Sequence, residues 1–427
     1  MNKDLLFYYL IRILTFPFAY MSYRTLHICG NILGLSCFYL MKKFRKRVLS
    51  NLALAKNLHL TKKELFSTAK KSFQNLAIVM LEYAKLDKEK DLKKVITCEN
   101  ANNMIDLYKN GQGIIILCGH QANWETLFLY GNIIMNGVAI AQPIKNKILY
   151  KWILSIREKT GGKVVNLKNA LYEGIKCLKK GKCLGIVGDQ SVPSSNYSYP
   201  MFGRPMWLST ATALIAYKTK SPIVVATTKR TENGYKITYS DPIWPQPQAN
   251  IESEEKRLMD ESLKILETSI MKTPHEWLWQ HNCYKQQTLK NIKRKFRHDA
   301  ICLILPQEKE EFEMINQHLP TLKTIYLREF IFVILPTEYQ EKLTIAVDEI
   351  MPYQRKEECL INDYRFKLVF DFSNHKKTKP FYKRLNVYDV LTIEDLKKMA
   401  YPNITAANSL SDIFQSAICR QPLKTNA

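Results

Sequence analysis

The chain has 427 residues, more than one hydrophobic core usually organises, so a main domain plus a smaller one is expected. Its 46% hydrophobic and 24% charged residues exclude a disordered chain or a polytopic membrane protein. With 63 Lys and Arg against 39 Asp and Glu, the net charge of +24 favours a polyanionic surface, either nucleic acid or anionic lipid. No zinc-finger spacing, RNP signature or basic-region heptad accompanies that charge, which sets nucleic acid aside.

Residues 5–23 and 25–41 are two apolar stretches separated by Arg24 and followed by the basic run Lys42–Arg47. They predict an N-terminal hydrophobic membrane anchor over 1–47, either a tilted span or an interfacial helix pair, with a buried helical hairpin as the alternative. The aromatics from Tyr8 to Tyr23 suit an interface, and the basic flank suits anionic head groups on the cytoplasmic side. Arg12 interrupts the apolar run and no small-residue cleavage site follows, so a removable signal is not expected.

Thr61-Lys-Lys-Glu64 is a capping box that opens a helix with a core-facing stripe from Phe66 to Ala84. From residue 111 the pattern becomes α/β. Gly113–Cys118, Cys183–Gly188 and Pro222–Thr228 read as buried strands with helices between them, which predicts a mixed sheet flanked by helices and ligands near strand carboxyl ends. An amphipathic helix over Ser253–Lys272 precedes His275-Glu-Trp-Leu-Trp279. The main domain is therefore expected over 48–289, a basic linker over 290–298, and a small α/β domain over 299–427. Ten cysteines from Cys29 to Cys419 contain no C-x-x-C pair, so reduced thiols are expected and neither a metal nor a cofactor is.

The segment Cys118-Gly-His120-Gln-Ala-Asn-Trp-Glu125 ends the first buried strand. A neutral imidazole can take the proton of an attacking hydroxyl near pH 7, and a carboxylate within reach can fix its tautomer. His120 and Glu125 have the residue types for that pair. By spacing alone the segment also reads as a helix start, with Asn123 as cap, Glu125 at the positive helix end and His120 in the turn.

Further blocks follow in order: Pro143-Ile-Lys-Asn146, Arg157-Glu-Lys-Thr-Gly161, Gly188-Asp-Gln190, Met201-Phe-Gly-Arg-Pro205 with Ser209–Leu214, and the tryptophan pair Trp277 and Trp279. With the GHQANWE block they make residues 1–287 resemble the H-x4-D/E glycerolipid-type acyltransferases, and more closely the lipid A biosynthesis acyltransferase family. Where that family often carries an asparagine before the histidine, this chain has Gly119. The resemblance implies a glycerolipid-acyltransferase-like α/β fold for 48–289. It also implies transfer of a fatty acyl chain from acyl carrier protein to a hydroxyl of a lipid A precursor, at the cytoplasmic face of the inner membrane, the thioester donor being a co-substrate. His120 and Glu125 match the family's catalytic pair, and Arg157 a basic position suited to an acceptor phosphate or the developing oxyanion. Asp189 and Gln190 are expected to line the pocket, Gly203 to make a tight turn and Arg204 to contact phosphate. Two other readings stay open: a coenzyme A-dependent acyltransferase acting on another glycolipid or glycerophospholipid, and a non-catalytic membrane-associated lipid-binding paralogue. Residues 299–427 have no counterpart in the family. Val369–Asn374 resembles a nucleotide-sugar-binding half-domain of lipopolysaccharide glycosyltransferases, and no second activity is assigned to it.

Overall fold

The computed structural model describes residues 3–402 and 408–421. Contacts gather these into two units. The first comprises the residues up to Lys42 with Asn57–His281, the second Lys43–Lys56 with the chain from Asn282 onward.

The first unit is built on strands β1 (Ile96–Glu99), β2 (Ile114–Cys118), β3 (Gly137–Ala141), β4 (Lys163–Asn166), β5 (Cys183–Val187), β8 (Ile223–Thr231) and β9 (Gly234–Tyr239). Their order is β1-β9-β8-β2-β5-β3-β4. A two-stranded ribbon, β6 (Tyr197–Tyr199) with β7 (Met206–Leu208), stands apart. All neighbours in the large sheet run parallel except β8 and β9. Parallel strands need crossovers, and helices supply them on both faces, which is why β2 is a nearly continuous buried run of Ile-Ile-Ile-Leu-Cys. The capping box forms as the sequence suggests: Thr61 accepts from the Glu64 amide, and the Glu64 carboxylate accepts from the Thr61 amide, opening the helix Lys62–Lys88.

The expectation of an N-terminal hydrophobic membrane anchor, and with it an integral inner-membrane location, is overturned. Among the described residues no helix is long and apolar enough to cross a membrane. The first apolar stretch forms a helix of only 13 residues, Lys3–Thr15, before a turn at Pro17; at ~1.5 Å per residue it reaches about 20 Å where a hydrocarbon core needs about 30. Arg12 within it is paired with Asp87 at 3.0 Å and lies over the Trp152 ring at 4.5 Å. The second stretch, Tyr23–Leu40, carries Arg24, His27 and Asn31, and buries Tyr23, Leu26, Gly30, Gly34 and Phe38. It packs on Lys62–Lys88 so closely that a Cβ at Gly34 would lie 2.3 Å from the Gln74 Cα and one at Gly30 would lie 2.5 Å from the Ile78 side chain. The apolar residues on the other faces of both helices, Ile13 and Ile32 among them, are exposed.

The second unit has a wholly parallel sheet of β10 (Ala300–Ile304), β11 (Phe330–Pro336), β12 (Glu349–Tyr353), β13 (Leu368–Asp371) and β14 (Asp389–Leu391). Its order is β12-β11-β10-β13-β14, so the winding reverses between β10 and β13. Residues 43–56 pack here rather than in the first unit: the Ser50 hydroxyl donates to the Arg365 carbonyl at 2.8 Å and Lys46 to the Val387 carbonyl at 2.6 Å. Lys367 is buried and donates to Asp299 and to Asn282. The basic run 290–298 is no free linker. Ile292 bridges Cys419, and Lys293 donates through its amide to the Ile418 carbonyl and through its ammonium to the carbonyls of Ser416 and Ala417.

Because Gly34 sits against backbone that cannot turn aside, Gly34→Val should destabilise the protein by about 1–3 kcal/mol, read as a lower urea midpoint.

Candidate active site

Strands β2 and β5 are parallel neighbours with Cys118 opposite Val187, and the Gly188 amide extends the ladder to the Cys118 carbonyl. Two residues past each strand end lie His120 and Asp189. Equal offsets on adjacent parallel strands bring them side by side: His120 Nδ1 meets Asp189 Oδ1 at 2.6 Å. Asp189 Oδ2 accepts from the His120 amide and from the Trp277 indole N–H, each at 2.6 Å. Gly119 lies between them in the chain, and a Cβ there would come within 2.9 Å of Asp189 Oδ2, so the glycine is what lets the backbone approach the carboxylate.

Asp189 is buried. Burial pushes its pKa up, but the His120 charge and the three donors outweigh burial and hold it below the usual carboxylate range. An ionised carboxylate only accepts, so Nδ1 of the ring carries the hydrogen and Nε2 is left with the lone pair in the neutral ring. Nε2 faces the Gln190 amide nitrogen at 3.2 Å, and the ring meets Trp124 edge-on with centroids 4.7 Å apart.

Glu125 is elsewhere. Its carboxylate accepts from Arg157 Nε at 2.7 Å and from a terminal guanidinium nitrogen at 2.5 Å, from the Tyr83 hydroxyl at 2.6 Å and from the Trp124 indole at 3.0 Å. Burial raises its pKa, and the Arg157 bonds and charge with those of Tyr83 and Trp124 bring it below the ordinary range. Of the predicted site residues the structure sets Asp189 against His120, while Glu125, expected to partner the histidine, bonds to the Trp124 indole whose ring meets the imidazole. Arg157, at the end of the helix Lys147–Arg157, has its fork committed to Glu125.

The turn joining the two networks is held by Asn123, whose carbonyl oxygen accepts from the Glu125 amide and whose NH2 donates to Glu82 at 2.8 Å. Ala122 adopts φ 49°, a conformation uncommon for a non-glycine residue, and its amide is bound to the Glu276 carbonyl at 2.8 Å. Gly203 takes φ 80° after Phe202 at φ 52°, a tight turn as expected, and Arg204 beside it is buried. That turn reaches the site indirectly, because the Phe202 ring packs on Trp277. Trp277 is buried, and its indole is also a donor to Asp189. Among the described residues no group of three or more His, Cys, Asp or Glu side chains could hold a metal ion.

The mixed α/β sheet thus presents an imidazole and a buried carboxylate at adjacent strand ends. The sequence profile of the bacterial lipid A biosynthesis acyltransferases matches residues 3–286, and the chain belongs to that family. It is an acyltransferase, and the residues from 287 onward lie outside the match. No curated protein matches the chain.

Glu82, Glu125 and Asp189 are buried carboxylates with pKa values held down. Their stabilisation is fully present above the unfolded carboxylate range of about 4 and is lost as pH falls through the lower folded values. Glu125→Gln leaves Arg157 buried without its counter-charge and should cost about 3 kcal/mol at pH 7. Urea midpoints measured from pH 7 down to pH 2.5 should also fall less steeply for this variant than for the wild type.

Proposed function

We propose that the protein moves a fatty acyl chain from acyl carrier protein to a hydroxyl of a lipid A precursor, with His120 as general base and Asp189 as the acid that positions it. The observation that carries this reading is the 2.6 Å contact of His120 Nδ1 with the ionised Asp189, which leaves Nε2 as the proton acceptor. The acceptor hydroxyl takes the place of the Gln190 amide at Nε2 and gives up its proton as its oxygen attacks the thioester carbonyl. The carbon–sulfur bond then breaks, and the thiolate leaves with the proton that Nε2 returns. Asp189 stabilises the imidazolium between those steps without taking the proton itself.

Direct transfer is favoured over an acyl-enzyme. The nearest thiol, Cys118, is buried, and burial together with Asp189 and Glu125 pushes its pKa up, which keeps it protonated and inert. Glu125 and Arg157 act as a strut. They hold the Trp124 indole, whose ring meets that of His120 edge-on, and so help to set the angle of the imidazole. The excess of cationic side chains suits both co-substrates, an acidic carrier protein and a phosphorylated lipid.

The test is acyl transfer by purified protein from acyl carrier protein, and separately from coenzyme A, to a lipid A precursor, with products read by mass spectrometry. His120→Ala should lower kcat about 10²–10⁴-fold. Asp189→Asn should lower it about as far, since the amide can hold the wrong tautomer. Full activity in either variant sinks the assignment, and transfer from coenzyme A alone sinks the carrier-protein reading.

A further inference from the structure

A cavity of about 380 Å³ opens in the first unit between the helices Tyr23–Leu40 and Lys62–Lys88, the end of β8 and the segment after the helix Ile251–Lys272. Its lining includes His27, Asn31, Lys71, Arg230, His275 and Glu276. The volume falls at the lower end of the roughly 300–1,000 Å³ that small-molecule sites occupy. Four of those six residues carry basic side chains.

The polar groups divide into those already committed and those left over. Arg230 is committed: it donates to Glu82 Oε1 and Asn75 Oδ1, each at 2.8 Å, and to the Tyr235 hydroxyl, and His27 meets Glu82 at 2.9 Å. Lys71 has no salt-bridge partner among the described residues, and the His275 ring makes no hydrogen bond among them. Glu276 is buried; its Oε1 accepts from the Arg230 amide, the Thr273 hydroxyl stands as a further donor to the carboxyl, and Oε2 makes no hydrogen bond of good geometry. A buried oxygen left unpaired in a polar cavity is costly unless a ligand or solvent completes it.

We propose that this cavity is a binding site for a phosphoryl group carried on a small polar headgroup, with Lys71 and His275 donating to the phosphate and the Glu276 carboxyl taking up a proton as the anion binds. Burial first, then the neighbouring Lys71 and Arg230 charges, push the His275 pKa down. Burial raises the Glu276 pKa more than Arg230, its bonds and Lys229 lower it, and an arriving anion pushes it further the same way. A dianionic phosphate therefore favours a proton on the lining carboxyl of Glu276, while the charge of Glu82 stays paired with Arg230 and His27.

The site is tied to the chemistry by four consecutive residues. His275 and Glu276 line the cavity; Trp277 donates to Asp189, and the Leu278 amide donates to the His120 carbonyl. If the acyltransfer reading above holds, the phosphoryl group belongs to the lipid acceptor, and the cavity orients its hydroxyl. That clause depends on the proposed function; binding of phosphate does not.

The test begins with calorimetric titration of a sugar monophosphate, of the same sugar without phosphate, and of inorganic phosphate into the full chain. The wild type and His120→Ala should bind the sugar monophosphate equally, and the free sugar at least about tenfold more weakly. Lys71→Ala, at an exposed position where folding is not at stake, should weaken phosphate binding roughly tenfold or more, the loss expected for one hydrogen bond to a charged group. Glu276→Gln, a permanent neutral donor, should tighten it. No saturable binding of either phosphate compound, or binding unchanged by both substitutions, overturns the proposal. Transfer assays then identify the source. If Lys71→Ala raises KM for a phosphorylated acceptor and not for its dephosphorylated form, with kcat kept, the lipid headgroup is the occupant. If phosphate binding responds to Lys71 and Glu276 while KM does not, the site is upheld for a separate phosphorylated ligand. Phosphate binding without any acyl transfer by the wild type would leave the site standing and remove the proposed function.

Discussion

The Asp189 carboxylate takes three short hydrogen bonds, and much of the first unit is arranged so that they can form. The His120 ring and amide come from the end of β2, Asp189 itself from the end of β5, and the Trp277 indole from the segment that follows the helix Ile251–Lys272. Three regions far apart in sequence are thus tied at one buried anion. The anion is tolerable only because all its donors are supplied at once; a carboxylate buried without them would cost several kcal/mol and take up a proton instead. Gly119 and the Trp277–Trp279 packing follow from the same need, the first by allowing approach and the second by fixing the indole.

Two further buried carboxylates stand beside it, and each has its own arginine. Glu82 receives Arg230, Tyr235, His27 and Asn123, and Glu125 receives Arg157, Tyr83 and Trp124. Burying such pairs gains little net stability over an apolar core of the same shape. What they supply is geometry. Asn123 bonds into both networks, so the turn from His120 to Trp124, including left-handed Ala122, is defined from two sides. The helix Lys62–Lys88 contributes Glu82 and Tyr83 from consecutive positions, one to each network. A helix that reads in sequence as plain core scaffolding therefore also carries the polar supports of the site.

The second unit follows a different logic. Its three central strands, β11, β10 and β13, are buried on both faces, as hydrophobic runs such as Phe330–Pro336 require, and the sheet winds in both directions from β10. Residues 43–56 enter it through the buried Asn51 and the Ser50 bond to Arg365, so the basic helix that looks like an anchor flank in sequence has half its length committed to this core. Within the run 290–298, Asn291–Lys293 likewise pair with 418–420.

Local features were legible in the sequence because their causes are local. The Thr61–Glu64 box, the strands at 114–118, 183–187 and 300–304, and the helix Ile251–Lys272 depend on residues within a few positions of one another. The N-terminal stretches were misread because apolar composition does not reveal which face packs: Gly30 and Gly34 mark a close helix contact, and Arg12 has a partner 75 residues away. The contact between His120 and Asp189 was not legible for a related reason. Glu125 is near His120 in sequence, but in the first turn of a helix its carboxylate projects toward Tyr83 and Arg157. Asp189 is 69 residues away, yet the parallel register of β2 and β5 makes it the closer neighbour, since each residue lies two positions past its strand. A strand ending in Cys-Gly-His and another ending in Val-Gly-Asp already contained that equality of offsets. What the sequence lacked was the strand order, because β3 and β4 come between β2 and β5 in the chain and are displaced to the sheet edge in space.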